Sequence, residues 1–214
     1  KSSENGGKQN RKLQHPKHQR NFMIAILKYN AGNATSVENA VQRLGYETVI
    51  TDDIAVLKAA EKVILPGVGE AASAMNYLKE KGLDEVIKSL KQPVLGICLG
   101  MQLLCESSEE GDTQTLGVFN TKVKKFPPED LVPHTGWNNF TAVKGKLFEN
   151  VRVDENCYFV HSYYAEISDE TVAVTDYILP FSAALQKDNF YATQFHPEKS
   201  APTGIQILKN FLSL

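Results

Sequence analysis

Cysteine is scarce in this chain: Cys98, Cys105 and Cys157 are the only three among 214 residues. An odd count without paired spacing argues against a disulfide framework, and no Cys-x-x-Cys pair offers a thiolate metal site. Reduced thiols fit a cytoplasmic setting. Long apolar runs are missing too. Phe22 to Leu27, the longest near the start, is too short for a signal-peptide core or a membrane span. Net charge is almost absent, at -2, which gives no case for nucleic acid as the main partner. No Gly-Lys-Ser/Thr follows a glycine-rich turn, so no phosphate-binding loop is indicated. What remains is an ordinary globular composition, with 42% apolar and 22% charged residues, and a length that suits one substantial α/β domain.

The charge is unevenly spread. Residues 1–20 hold six basic side chains, Lys1, Lys8, Arg11, Lys12, Lys17 and Arg20, against Glu4 alone, so this stretch carries +5 and the rest of the chain -7. Residues 1–21 contain a single Leu and cannot bury a core. They are expected to be a disordered tail, read here as a tag or vector remnant in preference to a basic interaction arm. One domain is expected over residues 22–214.

From Phe22 the pattern changes. "FMIAILKYN" suits a buried strand. "AGNATSVENAVQRLG" follows as a helix, capped at Thr35 or Ser36, with Val37, Ala40, Val41 and Leu44 on one face and Gly45 at its end. "YETVIT", "KVILPGVG" and "PVLGIC" read as further strands, with Pro66 and Gly67 stopping the third. "EAASAMNYLKEKGLDEVIKSLK" and "LGMQLLCESSEE" read as helices, the second with Cys105 well inside it. Strand and helix alternate, which favours a mostly parallel central sheet with helices on both faces. From about residue 112 short β-rich pieces take over, and they are expected to extend the same sheet in mixed or antiparallel fashion. "TGIQILKNFLSL" closes the chain as a helix with Ile205, Leu208, Phe211 and Leu212 facing inward.

Chemistry concentrates at three places. "GICLG", residues 96–100, puts Cys98 between two glycines at a strand-to-helix corner. That is the layout of a nucleophile elbow with sulfur in place of a hydroxyl. Glycines remove clashes in the sharp turn, and the helix N-terminus favours a thiolate. A buried, inert Cys is the alternative. "FHPE" places Glu198 two residues beyond His196, with Pro197 pushing His196 toward an extended backbone. Such a carboxylate can fix the imidazole tautomer, although taken alone the motif reads better as a surface turn with a solvated charge. "LPGVG", residues 65–69, ends a strand with two glycines. The backbone N–H of Val68, and that of Leu99 beside the nucleophile, are candidate oxyanion donors.

In this order, "PGVG", "GICLGMQLL" and "FHPEK" resemble the class I glutamine amidotransferases. "YNAGNATSVENAV", "PHTGWNN" and "YFVHSYY" narrow the resemblance to the glutaminase subunits of imidazole glycerol phosphate synthases, over Phe22 to Leu214. The resemblance implies a Cys98–His196–Glu198 triad that hydrolyses glutamine through a thioester, without metal or cofactor. It implies an oxyanion hole of Val68 and Leu99, with Gly67 and Gly69 letting that strand move and counted among the substrate-binding residues. Gln102 and the segment His161, Ser162 and Tyr163 would contact the substrate. Ammonia would pass to a (β/α)8-barrel cyclase partner, which makes imidazole glycerol phosphate and aminoimidazole carboxamide ribotide in histidine biosynthesis. Asn30, Asn33, Trp137 and Asn138 would face that partner. Without the resemblance, Trp137 reads equally well as a core residue beside Phe140. Glu70 stands where such chains commonly have Ala or His. The remaining alternatives are a glutaminase serving another acceptor and a non-catalytic docking module of the same fold.

Overall fold

A computed structural model describes residues 23–214, so the tail expected at residues 1–21 lies outside the described residues. The first half alternates strand and helix: β1 (Met23–Leu27), α1 (Ala34–Arg43), β2 (Glu47–Thr51), α2 (Ile54–Ala59), β3 (Lys62–Leu65), α3 (Ala71–Glu80), α4 (Leu83–Ser89), β4 (Val94–Ile97) and α5 (Leu99–Leu104). The second half runs β5 (Ser107–Ser108), β6 (Thr113–Gln114), β7 (Lys122–Lys125), β8 (His134–Asn139), β9 (Ala142–Val143), β10 (Asn156–His161), β11 (Tyr163–Ala165), β12 (Thr171–Tyr177), β13 (Leu179–Lys187) and β14 (Phe190–Thr193) before α6 (Ala201–Leu212).

Side chains on a strand alternate between faces, and here both faces are apolar. β1 sends Ile24 and Ile26 into one core and Ala25 and Leu27 into the other. α1 and α6 cover the first core through Val37, Val41, Ile207, Leu208 and Phe211. α2 to α5 cover the second through Leu57, Met75, Leu78, Ile87 and Leu103. Helices on both faces are what a parallel sheet of doubly buried strands requires. The strand order is β2-β1-β3-β4-β14-β13-β11-β7-β5-β6 within a twelve-stranded sheet. β2, β1, β3, β4 and β14 are parallel neighbours. β13 then pairs antiparallel to β14 and begins the mixed extension. No helix among the described residues is long and apolar enough to cross a membrane.

Several local expectations need correction. The α1 cap is Asn33, at φ 76, with no side-chain cap bond, rather than Thr35 or Ser36. The long helix expected over residues 70–91 is two, because Gly82 takes a left-handed conformation between α3 and α4. Glu70 caps α3, accepting from the N–H groups of Ala72 and Ser73. α2 has no counterpart in the sequence reading; Asp53 caps it. α5 stops at Leu104, leaving Cys105 as a buried residue at its C-terminal cap rather than inside the helix. β8 and β10 do not extend the main sheet but pair with each other in a separate two-stranded sheet. On α6 Ile205 is exposed and Ile207 takes its place in the core.

Candidate active site

The elbow forms at the C-terminal end of β4. Cys98 has φ 51 and ψ -105, a conformation that costs a non-glycine residue steric strain. Its neighbours explain the glycines. A Cβ on Gly100 would sit 2.1 Å from the Leu65 carbonyl oxygen, and one on Gly96 would sit 2.7 Å from backbone atoms of Gly100. Only bare backbone lets β3, β4 and the start of α5 approach this closely.

β14 lies beside β4 in parallel register, Thr193 opposite Ile97. The Cys98 N–H donates to the Thr193 carbonyl at 2.8 Å. The chain leaving β14 therefore runs past the elbow and carries His196, at φ -97 and ψ 96, an extended backbone as expected before proline. His196 Nδ1 lies 2.8 Å from Glu198 Oε1, and both side chains are fully shielded from solvent. Burial disfavours the charged ring, but the Cys98 sulfur and the Glu198 carboxylate outweigh it and lift the imidazole pKa to about 10. The other ring nitrogen, Nε2, has no hydrogen-bond partner among the described residues.

A cleft of about 260 Å³ opens at the sulfur. Of the residues expected to bind substrate, Gly69, Gln102, His161, Ser162 and Tyr163 line it, as do Val68 and Leu99. Gly67 does not line it. Glu110, Pro133 and Val160 also line it, and none was singled out from sequence. The Glu110 carboxyl is raised in pKa, mainly by burial, and its Oε2 accepts from the Ala71 N–H at 2.8 Å. When ionised, a carboxylate in the lining of a cleft can pair with a cation.

The two candidate oxyanion donors are not free in this arrangement. The Leu99 N–H donates to the Gly67 carbonyl at 3.2 Å, and the Val68 N–H donates to the Gly32 carbonyl at 3.4 Å. Backbone donors without water are paired within the protein, so the expected hole is closed. Gly67 and Gly69 have φ of 152 and 153. Tyr29, also missed from sequence, donates its buried hydroxyl to the Pro66 carbonyl at the head of this segment. Burial, reinforced by Cys98, pushes its phenol well above the ordinary range.

The residues expected to face a partner do not form one cluster of contacts. Trp137 is exposed at 55% and packs edge-on against Tyr158, so it is not a core residue. Asn138 bonds inward, to His134 and the Asp176 carbonyl. Asn33 donates to Glu198 Oε1 and Asn30 to the Ser73 hydroxyl. Two buried groups emerge only in three dimensions. Gln194 aims its amide at the Cys98 sulfur at 3.6 Å, and His134 bonds His161 at 3.1 Å.

The family profile described as glutamine amidotransferase class-I matches residues 25–214. "Imidazole glycerol phosphate synthase subunit HisH" of Bacteroides fragilis (strain YCH46) is 61% identical over 194 residues, covering 89% of this chain and 99% of that protein. The protein of the same name from Yersinia pestis is 50% identical over equal coverage. Among solved structures, a putative GMP synthase subunit from Thermoplasma acidophilum superposes with a TM-score of 0.73 at 21% identity, covering 92% of this chain and 94% of its own. PurLQS from Thermotoga maritima gives 0.68 at 16% identity, covering 89% and 97%. Elbow, shielded His–Glu pair, sheet order and similarity agree, and the chain belongs to the class I glutamine amidotransferase family.

Proposed function

We propose that this chain is the glutaminase subunit of an imidazole glycerol phosphate synthase, with Cys98, His196 and Glu198 as its triad. The observation that carries the reading is the strained Cys98 at a helix N-terminus, beside an imidazole whose far side is held by a carboxylate. The Cys98 thiolate attacks the side-chain amide carbon of glutamine. His196 gives its proton to the departing nitrogen, and ammonia leaves a γ-glutamyl thioester. Water then adds to the thioester, His196 takes its proton, and glutamate departs with the thiolate restored. Glu198 supports the imidazolium throughout. Glu110 offers its carboxylate to the substrate ammonium group, and Gln102 with the segment His161 to Tyr163 forms the opposite wall.

The oxyanion hole of this reading needs the Gly67–Val68 peptide to rotate, so that its N–H replaces the Gly67 carbonyl near Leu99. Glycines on either side of Val68 make that rotation sterically mild. Ammonia would pass to a (β/α)8-barrel cyclase docked at the surface that carries exposed Trp137, with Asn138, Asn30 and Asn33 as further candidate contacts. An exposed Trp is a favoured interface anchor. The names of the relatives support this choice of partner over another acceptor pathway, and the complete triad weighs against a docking module. A cytoplasmic setting belongs to the proposal, supported by three free thiols. The test is glutamate release by the chain alone and with a histidine-pathway cyclase and its ligand. Hydrolysis is expected to be very slow alone and to rise sharply in the complex. Fast turnover by the chain alone would sink the coupling, and no turnover with the cyclase would sink the assignment.

A further inference from the structure

Behind the cleft lies a run of buried polar groups that glutamine chemistry does not by itself require. His134 and His161 are 4% and 5% exposed. His134 is stacked between Phe159 and Tyr177. His161 packs against Phe126, Phe159 and Phe181. Polar rings in such surroundings need every hydrogen bond satisfied.

Their partners fix both tautomers. His161 Nδ1 lies 2.8 Å from the Tyr163 carbonyl, which only accepts, so Nδ1 carries hydrogen. In the neutral ring Nε2 then accepts, and the atom facing it at 3.1 Å, His134 Nδ1, donates. That leaves His134 Nε2 as an acceptor. Asn138 Nδ2 faces it at 3.4 Å, and the same amide nitrogen donates to the Asp176 carbonyl at 3.1 Å. The two ends were fixed by different carbonyls, and they agree on one direction. An imidazolium at either ring would set donor against donor. Burial acts in the same sense, lowering the pKa of His134 to about 4 and of His161 to about 3.

The chain of bonds continues to the sulfur. The Tyr163 carbonyl also accepts from Gln102 Nε2 at 3.0 Å. The second hydrogen of that nitrogen goes to Gln194 Oε1, again at 3.0 Å. With its oxygen engaged, Gln194 presents Nε2–H to Cys98 Sγ at 3.6 Å. Gln194 is fully buried. An N–H aimed at a sulfur favours the anion over the thiol.

We infer that Gln194 is a positioning residue for the Cys98 sulfur, held by a hydrogen-bond relay that runs from Asn138 on β8 through His134 and His161 to the Tyr163 carbonyl, which accepts from His161 on one side and from Gln102 on the other, and from Gln102 to Gln194. The inference rests on the reading of Cys98 as nucleophile. It adds a physical route from β8, which also carries exposed Trp137, to the reacting atom.

The test uses the full chain with 15N-labelled histidine and iodoacetamide as thiol probe, read on the Cys98 peptide by mass. At neutral pH both His134 and His161 are expected as neutral Nδ1–H tautomers. An Nε2–H tautomer or an imidazolium at either ring overturns the relay. Gln194→Met keeps volume and removes the donor; alkylation of Cys98 should slow about tenfold, the worth of one hydrogen bond to a charged group. An unchanged rate overturns the role of Gln194. Asn138→Ala, at a half-buried strand position, should let His134 populate its Nε2–H form and slow alkylation severalfold. A His134 that stays wholly Nδ1–H there removes β8 as the origin. Neither probe needs turnover. Failure of the wild-type chain to hydrolyse glutamine would therefore count against the catalytic reading, while the tautomers and alkylation rates still judged the relay.

Discussion

β3 and β4 are parallel neighbours that both end in a glycine-rich turn, yet the two turns behave differently. After β4 the glycines are packed against backbone, with a would-be Cβ at 2.1 Å from Leu65 for Gly100. After β3, Gly67 and Gly69 have positive φ, and Val68 between them is exposed at 39%. The first turn is fixed by close approach. The second meets side chains rather than backbone at Gly67 and is held mainly by hydrogen bonds: Leu99 to Gly67, Val68 and Gly32 to each other, and Tyr29 to Pro66. A glycine can therefore mean rigidity or freedom, and what surrounds it decides which.

Mutations can break that comparison, beginning with the fixed turn. Cys98→Ala should lower glutamine hydrolysis by at least about ten-thousandfold, with the thermal midpoint unchanged or slightly lowered, since the backbone strain and the Cβ stay while only one partly shielded sulfur is lost. Residual hydrolysis near wild type, measured as glutamate release, would remove Cys98 from its role. Gly100→Ala should destabilise the fold by more than about 3 kcal/mol, because backbone cannot yield to the new methyl group; urea unfolding measures this. Gly67→Ala belongs to the movable turn. Its Cβ would lie 2.7 Å from the Tyr29 hydroxyl and 3.1 Å from Ala31. Hydrolysis in the cyclase complex should fall about a hundredfold, the scale of one lost oxyanion donor, while stability falls by only about 1–2 kcal/mol. If Gly67→Ala unfolds the chain as Gly100→Ala does, the two turns are alike after all. Tyr29→Phe sharpens the contrast most gently. It removes one hydrogen bond, worth about 1 kcal/mol, from the resting segment, and the chain alone should hydrolyse glutamine a few times faster. A slower variant would show that Tyr29 supports the active form instead.

The elbow was legible because its meaning is local: a thiol flanked by Gly96 and Gly100 admits few backbone paths. His196 and Glu198 were legible only through the resemblance, since His-Pro-Glu on its own reads better as a solvated surface turn. The parallel half of the sheet followed from strand–helix alternation. α2 escaped because only Leu57 is buried in it, so no periodicity marks it. Gln194 and Tyr29 escaped because their partners are 96 and 37 residues away in sequence. Glu110 ended the helix expected over "LGMQLLCESSEE", and only the pairing of β5 and β6 beside α3 brings it to the cleft. The closed oxyanion segment has no sequence signature, since it depends on which way one peptide group points. Ile205 and Ile207 differ only in how α6 is rotated on the sheet.

The seam between β4 and β14 has a practical side for protein engineers. Thr193 faces Ile97 across one rung of the ladder, so the backbones that lead on to the thiol and to the imidazole leave from strands held roughly 4.8 Å apart. That interval is the least adjustable length in any sheet. Grafting this chemistry onto another scaffold therefore means transplanting two neighbouring strands as a unit, since loop redesign has no comparable ruler to work from.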